Sequence, residues 1–332
     1  MSDPIRVGVV GTGRIGRLHA KLLVHELAGA ALVMVYDASP DAAAGLGAPV
    51  APSIEALVGS PEVDAVAICS STDTHVDIVV AAARAGKPIF CEKPISLDLA
   101  EVDRALAAVE GSGVPFMVGF NRRFDPGHRS VRDAVAGGEV GELHVLRITS
   151  RDPAPPPYDY VRHSGGLFLD MTIHDFDMAR FITASEPVEV YARGAVRVDP
   201  EIGELGDIDT AAVTLVHADG ALTLIDNSRQ AVYGFDQRIE AFGSKGMACS
   251  ENLPAHGGFV RTAAGGSGPR LPTFFLERYI PSYVAEWEAF LEMVATGGPS
   301  PVPAEAGRAP LVVGLAAKRS LDEGRPVRIE DG

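Results

Sequence analysis

The hydrophobic positions of this 332-residue chain change their pattern near residue 121. Before that point, short continuous apolar runs alternate with stretches of helical period. This alternation is typical of buried parallel strands joined by crossover helices. The predicted strands cover residues 5–10, 31–36, 63–68, 87–91 and 114–118. We therefore predict an α/β first half with a doubly wound parallel sheet.

The second half favours an antiparallel sheet. A helix is predicted over 126–136 and two more over 282–295 and 304–322, near the end of the chain. Between them, alternating apolar and polar positions predict strands over 143–150, 188–198, 208–216, 221–227 and 237–242. Glycine-containing turns at 218–220 and 243–246 are typical of hairpins. This half is predicted to be α+β, with a large, mostly antiparallel open sheet.

Composition narrows the class of protein. The net charge of −15 argues against nucleic acid or an anionic membrane as a partner. We find no long apolar run, and residues 1–4 lead straight into a strand, so we predict neither a signal peptide nor a membrane span. Cys69 and Cys91 lie in apolar runs, where buried free thiols are expected. The predicted location is the cytoplasm.

The first predicted strand is followed at once by a G-x-G-x-x-G turn and a helix. The turn consists of Gly11, Thr12, Gly13, Arg14, Ile15 and Gly16. Its glycines permit a tight turn and a close approach of a pyrophosphate to the helix N-terminus. Asp37, at the end of the second strand, is placed to accept hydrogen bonds from an adenosine ribose. Because no arginine occurs between residues 38 and 44, we predict NAD rather than NADP as the cofactor.

Further candidates follow the later strands, since ligands of such sheets lie beyond the carboxyl ends of the strands. Lys93 would project a cation into the crevice where the nicotinamide lies. The candidate cofactor contacts are Ser70, Ser71, Thr72, His75, Glu92, Lys93 and Asn121. We accordingly predict an NAD-binding domain over 1–121, and a substrate-binding and oligomerisation domain over 122–332.

Asp170 and His174 form a candidate acid/base pair. A single helix is predicted from the Gly165-Gly166 turn to about residue 182. Four residues apart on such a helix, the carboxylate can orient the imidazole and stabilise its charged form. The alternative is an ordinary pair on a solvated face. No metal site is predicted, because the pair lacks a third ligand and no C-x-x-C occurs.

Taken together, the glycine turn, the Glu92-Lys93-Pro94 sequence and the Asp170–His174 helix resemble the Gfo/Idh/MocA oxidoreductases. The resemblance covers essentially the whole chain. Within that family, residues 119–125, 150–156 and 170–177 look most like the bacterial inositol 2-dehydrogenases.

The resemblance implies catalytic roles for Lys93, Asp170 and His174. It also implies that the polyol is bound by Lys93, Arg122, Asp152, Asp170, His174 and Tyr233. The implied reaction is the NAD-dependent oxidation of a ring hydroxyl of inositol, from myo-inositol to 2-keto-myo-inositol, by a homotetramer. Two alternatives stay open: a dehydrogenase or ketoreductase for another cyclitol or sugar such as scyllo-inositol, and a non-catalytic dinucleotide-binding regulator.

Overall fold

The structure is a computed structural model that describes residues 3–330, and for Pro40 the backbone alone. The described chain divides into two compact units. The first comprises residues 3–124 and 281–311, and the second comprises residues 125–280 and 312–330. This division differs from the predicted domains because residues 281–311 belong to the first unit. The functional assignment of the two domains stays a prediction.

The first unit contains a five-stranded, wholly parallel sheet in the order β2-β1-β3-β4-β5. Three of its strands are buried along their whole length, which explains why they read as continuous apolar runs. The strands are β1 Ile5–Val10, β2 Ala30–Tyr36, β3 Ala65–Ile68, β4 Ile89–Glu92 and β5 Phe116–Gly119. The predicted doubly wound fold is confirmed.

The helices of this unit connect successive strands. They are α1 Arg14–His25, α2 Pro40–Ala43, α3 Ile54–Val58, α4 Thr72–Arg84 and α5 Leu99–Ser112, followed by a 3₁₀ helix Asn121–Phe124. Because the chain leaves β1 for β2 on one side and returns to β3 on the other, the strand order reverses between β1 and β3. Ligands of doubly wound sheets bind at the carboxyl ends of the strands beside such a reversal.

The second unit is built on a seven-stranded sheet in the order β11-β10-β6-β9-β8-β7-β14. Its strands are β6 Leu143–Arg151, β7 Pro187–Ala195, β8 Thr210–His217, β9 Leu222–Ser228, β10 Asp236–Gly243, β11 Gly246–Ser250 and β14 Val327–Arg328. Only the β6–β9 pair is parallel. One face is buried against helices, whereas Leu222 and Leu224 on the other face are exposed. The predicted α+β unit with an open antiparallel sheet is confirmed.

The remaining elements of the second unit are short, apart from the last two helices. Helices α6 to α10 cover Pro126–Ala136, Tyr158–His163, Gly166–Asp170, Ile173–Thr183 and Pro200–Glu204, and β12 Val260–Thr262 pairs with β13 Gly265–Ser267 in an exposed ribbon. The division between the units falls within α11 Phe275–Thr296 and α12 Ala304–Glu323.

Among residues 3–330, no helix is long and apolar enough to cross a membrane.

Candidate active site

The glycine turn after β1 has the geometry that a dinucleotide requires. Gly11 has φ +87°, and a Cβ there would lie 2.3 Å from the Ser70 nitrogen. A Cβ on Gly16 would lie 1.9 Å from the Gly11 oxygen. By contrast, an added Cβ on Gly13 would meet no described atom within 4 Å, and none of the described side chains caps the start of α1 there. The first and third glycines therefore allow tight packing, while the second leaves open the approach to the helix N-terminus, so the turn fits a pyrophosphate.

Asp37 is fixed beside this turn as an anion. Its Oδ2 accepts hydrogen bonds from the Thr12 nitrogen and Oγ1, at 2.7 and 2.9 Å, and its Oδ1 accepts one from the Ser39 nitrogen at 2.9 Å. Burial raises the pKa of Asp37, but these hydrogen bonds outweigh it and hold the pKa below its ordinary value. An ionised carboxylate here suits the hydroxyls of an adenosine ribose and repels a 2′-phosphate.

Ser70 and His75, which follow β3, have hydrogen-bond partners within the protein, whereas Asn121, which follows β5, has a donor with no partner in the described chain. Ser70 Oγ is 2.7 Å from Thr74 Oγ1 in the first turn of α4. The two ring nitrogens of His75 lie 2.9 and 3.0 Å from the carbonyl oxygens of Pro94 and Ser70, so this buried ring links two loops. Asn121 is buried, and its Nδ2 has no hydrogen-bond partner within residues 3–330. Such an orphaned donor fits a polar ligand.

Glu92 belongs to a buried network that the sequence did not reveal. Trp287 Nε1 donates to His19 Nδ1 at 2.8 Å, so the remaining ring proton of His19 is on Nε2, 2.7 Å from Glu92 Oε1. Glu286 is fully buried, and neither of its carboxyl oxygens has a hydrogen-bond partner within the described chain. Burial, reinforced by Glu92, raises the pKa of Glu286 well above its ordinary value. Lys93, the next residue after Glu92, is partly exposed and precedes a cis proline peptide.

The predicted single helix around Asp170 and His174 is wrong. Asp170 is the last residue of α8, and His174 lies in the first turn of α9. The break is at Thr172, whose nitrogen donates to the Leu167 oxygen at 3.0 Å. A bond spanning five residues widens the helix at this point. The four-residue spacing therefore does not place the pair on one regular helix face.

Buried side-chain hydrogen bonds hold the start of α9 against the seven-stranded sheet. Thr172 Oγ1 donates to Asn227 Oδ1 at 2.7 Å, and Asn227 Nδ2 donates to Asp175 Oδ2 at 2.8 Å. Asn227 lies on β9, so these bonds fix the break between α8 and α9 against a strand. Since His174 lies between Thr172 and Asp175, its backbone position is set by the same contacts.

The Asp170 carboxylate has a donor on each oxygen. Tyr160 Oη donates to Oδ1 at 2.7 Å, and Arg229 Nη1 donates to Oδ2 at 3.0 Å. Arg229 is only 1% exposed, and its Nη2 lies 3.8 Å from Asp207 Oδ2. Burial lowers the pKa of Arg229, but the carboxylates of Asp170, Asp152 and Asp207 outweigh it and raise the pKa above its ordinary value. Asp170 is therefore held in place beside a charged guanidinium.

Tyr233 belongs to a hydrogen-bonded cluster with Asp236 and Arg151 in the second unit. Tyr233 Oη donates to Asp236 Oδ2 at 2.5 Å and accepts from Arg151 Nη1 at 2.9 Å. The single hydroxyl proton of Tyr233 is thus already used, so only a lone pair of Oη remains for a ligand.

Two further candidates for binding the polyol lie elsewhere. Asp152 directly follows β6 and is partly exposed, whereas Arg122 is buried in the 3₁₀ helix of the first unit.

Within residues 3–330, no group of three or more His, Cys, Asp or Glu side chains is placed to hold a metal ion. Cys69, Cys91 and Cys249 are free thiols, and the first two are buried as predicted.

Two family models match most of the chain. Residues 5–120 match the model of the Gfo/Idh/MocA oxidoreductase family, NAD-binding Rossmann fold. Residues 128–249 match the model of the Gfo/Idh/MocA C-terminal domain. The chain belongs to the Gfo/Idh/MocA oxidoreductase family. This member carries an NAD-binding Rossmann domain, and the cofactor predicted from the sequence is confirmed.

Three similar proteins each match nearly the whole chain. It is 49% identical to a myo-inositol 2-dehydrogenase of Thermotoga maritima, over 98% of this chain and 99% of that protein. It is 46% identical to an inositol 2-dehydrogenase of Rhizobium meliloti, over 98% and 99% of the two chains. Among solved structures, it resembles the scyllo-inositol dehydrogenase of Lactobacillus casei with bound NAD(H) and scyllo-inositol, with a TM-score of 0.92, 29% identity, and coverage of 98% of this chain and 99% of that one.

Sequence reasoning missed several residues that the fold brings to the candidate groups. Arg229 follows a strand as a single charged residue, and nothing in the sequence distinguishes it from a surface arginine. Tyr160 precedes the predicted dyad helix, with no signal for its bond to Asp170. Glu286 did carry a signal, because Tyr283 and Phe290, three residues before and four after it, place it on the apolar stripe of α11.

Proposed function

We propose that this chain catalyses the NAD-dependent oxidation of a ring hydroxyl of inositol, converting myo-inositol to 2-keto-myo-inositol. The observation that carries this proposal is its 49% identity, over essentially the full length of both chains, with a myo-inositol 2-dehydrogenase. The fixed Asp170 carboxylate and the open glycine turn support it, since a protein that only binds a dinucleotide needs just the second of these.

The proposed catalytic residues are Lys93, Asp170 and His174. His174 takes the proton of the hydroxyl that is oxidised, and Asp170 offsets the imidazolium charge that results. Lys93 donates a hydrogen bond to the same oxygen and stabilises its alkoxide character. When bound, NAD supplies the acceptor for the hydride that leaves the carbon.

Polyol recognition is proposed for Arg122, Asp152 and Tyr233, together with the three catalytic side chains. Because Tyr233 Oη already donates to Asp236, it would accept a hydrogen bond from a polyol hydroxyl rather than donate one. Asp152 would also accept, whereas Arg122 can only donate. Such a mixture of donors and acceptors suits a ring that carries a hydroxyl on every carbon.

The proposed NAD contacts come from the loops at the carboxyl ends of the parallel strands. Asp37 would bind the ribose, and Asn121 Nδ2 would donate to the cofactor or the polyol. The further proposed contacts are Gly11, Thr12, Gly13, Arg14, Ile15, Gly16, Ser70, Ser71, Thr72, His75, Glu92 and Lys93.

The decisive experiment is NADH formation with myo-inositol and NAD, repeated with scyllo-inositol, D-chiro-inositol and glucose, and with NADP in place of NAD. Turnover with myo-inositol and NAD that is lost in His174→Ala supports the proposal. Turnover with a sugar alone would retain the oxidoreductase and replace the substrate. Tight NAD binding without turnover on any polyol would favour the non-catalytic regulator.

A second candidate is oxidation of scyllo-inositol. It is favoured by the Lactobacillus casei relative, whose structure contains that epimer together with NAD(H). Single hydroxyl contacts decide between epimers, so the ratio of kcat/KM for the two inositols separates the candidates.

We further propose that the chain forms a homotetramer through the open face of its seven-stranded sheet and serves inositol catabolism in the cytoplasm. Large apolar side chains remain exposed on that face, among them Tyr191, Leu224 and Phe242. Several exposed apolar side chains on one face of a sheet are typical of an interaction surface. Leu224→Asp should reduce the mass measured by light scattering, whereas Leu253→Asp, at an exposed leucine outside the sheet, should leave it unchanged.

The proposed cytoplasmic location has a separate support. All three cysteines are free, and free thiols are the normal state in a reducing compartment.

A further inference from the structure

Among residues 3–330, the Arg229 guanidinium makes a single side-chain hydrogen bond. In the described residues, its only side-chain hydrogen bond goes from Nη1 to Asp170 Oδ2, at 3.0 Å. Its Nε and Nη2 have no hydrogen-bond partner, although the side chain is 1% exposed. Burying a charged group with most of its donors unused is costly, and such a group is kept for a reason other than stability.

The charges around this guanidinium are predominantly negative. Asp170 faces it from α8, Asp207 from the segment that follows α10, and Asp152 from the end of β6. Asp207 is itself held, because its Oδ1 accepts a hydrogen bond from the Leu167 nitrogen at 3.0 Å. One buried cation thus balances three carboxylates, and its removal would leave their mutual repulsion uncompensated.

We propose that Arg229 is a positioning residue of the reaction proposed above: it holds the Asp170 carboxylate in place and keeps it ionised for its work with His174. The inference rests on that proposed function, because it gives Arg229 a role only through Asp170. Tyr160 shares the task from the other carboxylate oxygen, at 2.7 Å. The two donors leave Asp170 no freedom to rotate away without losing a hydrogen bond.

This role of Arg229 predicts how kcat/KM depends on pH. Without Arg229, the neighbouring carboxylates raise the pKa of Asp170 and of any base beside it, since an anionic surrounding favours the protonated form of both. In Arg229→Gln, the acidic limb of kcat/KM for myo-inositol should move to higher pH by about one unit or more, the usual effect of a lost charge partner. Arg229→Lys keeps the charge, so it should lower the rate while leaving the limb close to its original position.

Two further variants avoid the risk that Arg229→Gln misfolds. Tyr160 is 41% exposed, and Tyr160→Phe should move the limb in the same direction by less. Asp207→Asn keeps an oxygen for the Leu167 nitrogen but removes one competing anion, so it should move the limb to lower pH. A uniform loss of rate in Arg229→Gln with an unmoved limb would show a merely structural arginine and overturn the proposal. Unmoved limbs in both Tyr160→Phe and Asp207→Asn would do the same.

A stability measurement separates this inference from the proposed function. Asp170→Asn removes the carboxylate that Arg229→Gln leaves without a cation, so the double variant should unfold at a higher urea concentration than Arg229→Gln alone. Failure to gain stability would overturn the Arg229–Asp170 pairing whether or not the enzyme turns over. A wild-type chain inactive on every polyol would refute the proposed function, while the stability comparison would still decide the pairing.

Discussion

Glu286→Gln should change how the stability of this protein depends on pH. Glu286 is fully buried on α11, neither of its oxygens has a hydrogen-bond partner within the described residues, and the Glu92 carboxylate acts on it. Burial, together with this like charge, raises the pKa of Glu286 well above its ordinary value. In the folded protein the side chain is therefore a neutral acid, which glutamine matches in size and charge.

The sign and size of the effect follow from proton linkage. An unfolded glutamate has a pKa of about 4.3, so above that pH the unfolded chain releases a proton that the folded chain retains. The stability contributed by protonated Glu286 is complete below that pKa and is lost as the pH rises towards the folded pKa. The loss amounts to at most about 1.4 kcal/mol for each pH unit in this window. The glutamine variant has no proton to release, so its advantage over the wild type should grow with pH at up to that slope.

The assay is urea unfolding at several pH values, followed by the fluorescence of Trp287, the only tryptophan of the chain. It is the residue after Glu286 and is itself buried, so it reports on the same part of the first unit. Glu288→Gln provides the matched control, because Glu288 is exposed on the same helix and the substitution removes the same carboxyl group at a solvated position. An identical pH dependence of wild type and Glu286→Gln would refute the reasoning and show that Glu286 is ionised in the folded protein.

Three further variants test the proposed roles of single residues. His174→Ala should lower turnover about 100-fold or more, the usual size of a lost general base, and near-normal turnover would contradict its role. Asp37→Ala should weaken NAD binding by about 10- to 100-fold in a calorimetric titration, as hydrogen bonds to a charged group are worth about 1.5–3 kcal/mol; exposed Asp41, changed in the same way, should have no effect. Tyr233→Phe should raise the KM for the polyol more than it lowers kcat, and an unchanged KM would remove Tyr233 from the polyol site.

Much of the fold was predictable because its signals are local. Strands buried on both faces are apolar along their whole length, and half-buried strands alternate apolar with polar residues. Both sheets could therefore be predicted from the spacing of apolar residues alone. The glycine turn was recognisable for a similar reason, since the φ of +87° at Gly11 and the 1.9 Å between a Cβ on Gly16 and the Gly11 oxygen both favour glycine. Asp37 was a candidate because of its distance from the glycine turn along the chain, and its role stays a prediction.

The helix break at Thr172 was not predictable from the spacing of apolar residues. The stripe through α8 and α9 looks continuous, and the break depends on the bond from Thr172 to Asn227 on a distant strand. A residue spacing determines a shared face only where the helix is regular. For this reason, the sequence indicated Asp170 and His174 as candidates but wrongly placed them on one continuous helix.

The sequence by itself determined the two fold classes and the glycine turn, because these depend on the pattern of neighbouring positions along the chain. Only the tertiary structure decided which charges meet. Arg229 reaches Asp170 across 59 positions, and Trp287 reaches His19 across 268. Electrostatic energies depend on distance in space and on burial, and neither quantity exists until the chain has folded.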